Sequence, residues 1–109
     1  MANTFKLKSK NNIGVSTVGI YTVPASTTTV IIGVTAANVS GQGINVGIGI
    51  SRGANGDEIS ILKNVPIPQG SSLEIMQGNK IVVEAADTVT AKSDVNSTLD
   101  VALTIMEIT

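Results

Sequence analysis

A chain of 109 residues has room for one hydrophobic core and no separate catalytic lobe, and 39 of those residues are Val, Ile or Thr, whose branched Cβ suits the pleated strand. The absence of His and Cys removes the commonest general base, any Ser–His–Asp triad, thiol nucleophiles, thiolate metal sites and disulfides. Charged residues are 14% of the chain and the net charge is −1, a field too weak to draw in a phosphate backbone or to hold copies of the chain apart.

The opening "MANTFKLKSK" has charges where a signal peptide needs its apolar segment, and no apolar run approaches the ~20 residues of a bilayer span, so a soluble product that is not exported is expected. Phe5 and Leu7 alternate with Lys6, Lys8 and Lys10, which therefore share one face of a first strand. Three lysines so placed predict a charged edge that resists pairing with another chain, in preference to a nucleic-acid contact. A second strand runs from Thr17 to Val23 and is closed by Pro24, which has no N–H for a ladder. "TTTVIIGVTAANV" is the third, "SGQG" a turn, and "INVGIGI", Ile44 to Ile50, the fourth. Asn55 and Gly56 predict a tight turn into a strand from Glu58 to Val65, which "PIPQGSS" ends. Three more strands follow: Ser72 to Met76, Lys80 to Ala85 and Thr88 to Lys92. The last, "STLDVALTIMEI", sends Leu99, Val101, Leu103 and Ile105 to one face and Asp100, Ala102 and Thr104 to the other.

Eight or nine strands in so short a chain are too many for one open sheet, so the expected fold is an all-β, antiparallel two-sheet sandwich of jelly-roll or immunoglobulin-like kind, one domain over residues 1–109. Val, Ile, Leu, Met and Phe total 36 residues, whereas strict alternation over nine strands gives about 27 inward positions. Some large apolar side chains must face outward. "VIIGV", Val30 to Val34, and "IVV", Ile81 to Val83, are continuous apolar runs of the kind found in strands covered on both faces. Ile31, Gly47, Gly49 and Val82 are accordingly the candidate subunit-interface residues. For Gly47 and Gly49 two readings stay open: close approach by another chain's backbone, or relief of crowding at a bulge inside the fold.

Chemistry is scarce. Glu84 and Asp87 read as a strand end and the turn after it, not as an acid/base pair. Gly41 and Gly43 begin a phosphate-loop spacing that Val46 breaks, and Asn55 to Glu58 lacks the ligand series of a calcium loop. Asn38 and Asn96 open glycosylation sequons that mean nothing without a secretory route, and Tyr21 reads as a packing residue. No catalytic residue, cofactor or metal site is expected.

Three stretches, "YTVPASTTTVIIGVTAANVSG", "LKNVPIPQGSSLEIMQGNKIVVEAADTVTAKSD" and "LDVALTIMEIT", together resemble small β-sandwich virion structural proteins of tailed bacteriophages, of the marine and cyanobacterial phage type. The resemblance implies a capsid decoration (cement) protein, or else a tail, baseplate or fibre-associated module with receptor contact as one option. It further implies a homo-oligomer, a trimer on grounds of capsid geometry, assembled into virions in the host cytoplasm against the major capsid protein or other virion subunits, with no membrane, nucleic acid or cofactor involved. Pro24, Pro66, Pro68, Gly70, Gly78, Glu84 and Ala85 fall on the recurring positions, as scaffold residues.

Overall fold

Period-two alternation and frequent turn residues produce nine strands and no helix among the described residues of the computed structural model, 3–53, 56–76 and 80–109. They are β1 (Asn3–Ile13), β2 (Val18–Thr22), β3 (Thr28–Asn38), β4 (Ile44–Ser51), β5 (Glu58–Ile67), β6 (Ser72–Glu74), β7 (Ile81–Val83), β8 (Thr88–Ser93) and β9 (Leu99–Ile108). One sheet has the order β1-β9-β3, with β6 and β7 sharing the far edge of β3; the other has the order β2-β8-β4-β5. All pairings are antiparallel. The chain changes sheet at most connections and stays within one only from β4 to β5 and from β6 to β7. This is jelly-roll connectivity, which decides between the two sandwiches the sequence allows.

The inner faces interdigitate to form the core. β9 contributes Leu99, Val101, Leu103 and Ile105, β4 contributes Val46, Ile48 and Ile50, and β8 contributes Val89 and Ala91, all buried. β3 departs from simple alternation: Ile31 pairs with Ile105 but Gly33 with Thr104, so Ile32 is an extra, bulged residue. The bulge turns both Ile31 and Val34 inward, and both have 0% exposure. It accounts for Ile31 and Val34 both being core residues within the continuous run, and it removes Ile31 from the expected interface.

Proline placement follows from edges. β5 continues through Pro66 to Ile67, past the expected end at Val65, because β5 is an edge strand whose missing N–H breaks no ladder there. β6 and β7 are shorter than expected. In the gap between them the Glu74 carboxylate takes over as acceptor: Val34 N donates to it at 3.1 Å, Thr35 Oγ1 at 2.9 Å and Met76 N at 3.3 Å.

Two buried carboxylates fasten the sandwich. Asp87 accepts from Arg52 Nε (3.1 Å), Gly53 N (3.1 Å) and Glu84 N (2.9 Å), while Arg52 also reaches Glu84 at 2.8 Å. A Cβ at Gly53 would run into the Ala86 carbonyl, so the two loops meet there backbone to backbone. Burial pushes the Asp87 carboxyl up, but the Glu84 and Gly53 amides and the Arg52 guanidinium together hold it below its ordinary value. Glu107 accepts from Lys6 Nζ at 2.8 Å and from the Tyr21 hydroxyl at 2.6 Å, with Thr29 Oγ1 2.8 Å from the same hydroxyl. The Lys6 and Tyr21 bonds hold Glu107 low against its burial, and burial together with the Glu107 bond raises the Tyr21 phenol to about 12.

A carboxyl held low in the folded state stabilises fully above its unfolded pKa of about 4 and loses that contribution as the pH falls through the folded value. A phenol held high stabilises fully below about 10 and loses the contribution as the pH rises through about 12. The urea midpoint should therefore be flat between about pH 5 and 9 and fall on both sides. Glu107→Gln should cost about 1–3 kcal/mol at pH 7 and weaken the acid-side fall, measured by urea titration followed by circular dichroism.

Candidate subunit interface

Pairing in register places residues of adjacent strands side by side on one face of a sheet. Phe5 lies opposite Met106, Met106 opposite Val30, and Val30 opposite Val82. These four side chains form a row straight across β1, β9, β3 and β7 on the face turned away from the core. Phe5 is 68% exposed and Val82 60%, while Met106 and Val30 are half-buried by their neighbours. Leu7, also 68% exposed, stands beside the row on β1, and the half-buried Ile108 flanks it on β9. Exposed apolar contiguity of this kind makes the row the candidate interface.

The lysines of β1 occupy the other face. Lys6, Lys8 and Lys10 pair with the core residues Ile105, Leu103 and Val101, so they point inward along the rim of the sandwich. Lys6 ends on Glu107, and Lys8 Nζ sits 5.8 Å from the centre of the Tyr21 ring. The β1 lysines thus leave the side of β1 that carries Phe5 and Leu7 apolar. Farther along the outer face the side chains become small and polar. Ser9, Lys10, Asn11, Thr35, Asp100 and Ala102 line a hollow of about 400 Å³.

Of the four positions expected at an interface, Val82 lies in the apolar row and Ile31 in the core. Gly47 and Gly49 lie on the outer face of the second sheet, where they floor a groove of about 160 Å³ rimmed by Glu58, Lys63, Thr90 and Lys92. A Cβ on Gly49 would sit 2.8 Å from the Ile59 carbonyl of β5, at a point where the β4–β5 register shifts. The close backbone is therefore this chain's own, which favours the bulge reading at that position. A Cβ on Gly47 would meet ordinary contacts, 3.6 Å to Leu62 O and 3.7 Å to Lys92 Cγ. Phe5, Leu7, Val30 and Met106 are absent from the positions expected from sequence. The signal was the alternation of Phe5 and Leu7 against the lysines, which leaves open which face turns inward.

The expected scaffold positions serve turns and edges. Gly70 has φ +68° between Pro68 and Ser71, whose N–H donates to the Pro68 carbonyl at 3.1 Å, a turn that needs positive φ at its third residue. Pro24 is exposed just after β2, Glu84 and Ala85 lead into the Asp87 turn, and Gly78 and Asn55 lie outside the described residues. Asn38 is buried, donating from Nδ2 to the carbonyls of Gln42 (2.7 Å) and Ile67 (2.9 Å), so its amide is committed to the β3–β4 corner. Among the described residues no three His, Cys, Asp or Glu side chains gather as a metal would need.

No protein-family model and no curated protein matches the chain. Solved structures do match its fold. A subunit of the disulfide-linked pili of Bacillus endospore appendages superposes with a TM-score of 0.60 at 15% identity, over 99% of this chain and 87% of that one. A chain of the capsid of Helicobacter pylori bacteriophage KHP30 superposes with a TM-score of 0.59 at 8% identity, over 100% of this chain and 94% of the other. A chain of the T13 IBDV viral particle gives 0.60 at 10% identity, over 96% of this chain but only 30% of that chain. These likenesses establish a shared fold.

The glycine geometry separates two variants. Gly49→Ala should destabilise the isolated protein by about 1–3 kcal/mol, as overpacking does, whereas Gly47→Ala should be neutral or stabilising by up to about 1 kcal/mol. Urea denaturation of the two purified variants measures both.

Proposed function

We propose that the chain is a virion structural protein, a capsid decoration subunit that reinforces the head shell by non-covalent contact. The observation that carries this reading is the row of Phe5, Met106, Val30 and Val82 across an outer sheet face. Burying such a row contributes roughly 25 cal/mol per Å² of apolar area, and repetition over a shell multiplies a modest contact. The KHP30 likeness supports the reading in a further way: that capsid chain has nearly the length of this one, as suits a small accessory subunit rather than a full shell protein. The pilus likeness supports a second reading, a tail or baseplate module stacked along an axis. The linkage by which those pili are joined has no counterpart here, since the chain has no cysteine.

Decoration predicts that the purified protein co-sediments with preformed shells and raises the temperature at which they rupture. Mass spectrometry of separated heads and tails should find it with the heads. Recovery with the tails, and no effect on shell rupture, would replace this reading by the second one.

A further inference from the structure

We propose that the apolar row is covered by a second copy of this chain, packed face to face about a two-fold axis that lies in the interface and runs parallel to the row. The proposal rests on the reading of the chain as an assembly subunit and names the partner of that surface.

The outer face of the β1-β9-β3 sheet is divided along the strands into a raised half and a hollow half. Phe5, Met106 and Val30 stand in one row; Leu7, Thr104 and Gly33 form the next; Ser9, Ala102 and Thr35 form the one after. The first row is bulky and the third is small, with the hollow of about 400 Å³ at its end. A two-fold axis along the middle row sets the bulky row of each copy over the small row of the other. The same patch then serves both partners, as an isologous contact requires. A three-fold ring needs two different patches, one receiving the other, so a bump and a hollow on one face favour a dimer over the trimer expected from capsid geometry.

Shape selects among the two-fold arrangements. Asp100 and Glu74 both belong to the hollow half, since Asp100 pairs with Ala37, and Glu74 with Thr35. An axis parallel to the strands would press the bulky rows together and leave the two hollows facing each other unfilled. The axis parallel to the rows sets both acids across from the apolar half, and each keeps donors from its own chain there, Asn12 N on Asp100 and Val34 N and Thr35 Oγ1 on Glu74. The area is sufficient. Three strands about 4.8 Å apart over the nine residues Asn3 to Asn11 of β1, with the three residues each of β6 and β7 beyond them, give a face of roughly 470 Å². Two such faces cover on the order of 1,000 Å², the lower bound for a specific interface.

The test is the mass of the purified full chain by light scattering during size exclusion, across a concentration series. The expected result is twice the 11.1 kDa of one chain, with Phe5→Lys and Ala102→Trp each weakening association at least tenfold while Val15→Lys, off this face, leaves it unchanged. If either interface variant fails to fold, Leu7→Cys, the sole thiol in its chain, should still link copies through a bis-maleimide long enough to bridge facing sheets about 10 Å apart. A monomer at high concentration, a trimer, or association untouched by both folded interface variants would overturn the proposal. A monomer that still binds heads would overturn the dimer and leave the decoration reading standing; a dimer that ignores heads would do the reverse.

Discussion

The register of β9 between β1 and β3 is the constraint on which the rest of the molecule depends. Its alternation buries Leu99, Val101, Leu103 and Ile105 in the core, and a slip of one residue would send all four outward and draw Asp100 and Thr104 in. That cost fixes the pairing, and the pairing fixes the outer face as a by-product. With Ile105 held against Lys6 and Ile31, the next residue, Met106, can only fall between Phe5 and Val30. The apolar row is thus set by the same register that makes the core, and it is as rigid as the core.

The sheets leave their edges unsuited to pairing and one face suited to contact. β1 bears inward lysines and an irregularity between Lys10 and Ile13; β5 shifts register twice and carries Pro66; β2 is short and bulged between Gly19 and Tyr21; β6 and β7 are three residues each. Bulges, proline, short strands and inward charges are the devices by which natural sheets avoid edge-to-edge growth. Association is thereby steered from the open ladders to the side chains of a face, where shape and charge can select the partner.

Strand number, the alternation of β9 and the sandwich were legible because each is a local pattern. Bulges were not, since one extra residue leaves the composition of a strand unchanged while reversing every side chain beyond it. Ile32 is the clearest case: it makes "VIIGV" look like a strand covered twice, and it puts Ile31 in the core. The row itself draws one residue from each of four strands, at positions 5, 30, 82 and 106, and no window of sequence contains more than one of them. Val82 betrayed itself as the middle of three consecutive aliphatics in a strand that must alternate, and Val30 as the start of the other continuous apolar run. At Gly49 the sequence posed the right question, close approach of a backbone, without saying whose backbone it was.

The inward lysines tie stability to the docking face. Lys6 and Lys10 stay exposed at the rim and Lys8 is half-buried, so the charge taken out of water is the Glu107 carboxylate, which meets Lys6 from β1 and the Tyr21 hydroxyl, itself bonded to Thr29, from the opposite sheet. A pair whose lysine is 42% exposed adds little net stability. Its effect lies in orientation. With Lys6 engaged, the neighbouring Phe5 and Leu7 have only the outer face open to them, and β1 cannot slip without uncovering Glu107. An apolar residue at position 107 would keep the core and lose this lock, leaving an edge strand whose two faces compete for the inside. The carboxylate on β9 therefore specifies, from within the sandwich, which side of β1 another subunit can meet.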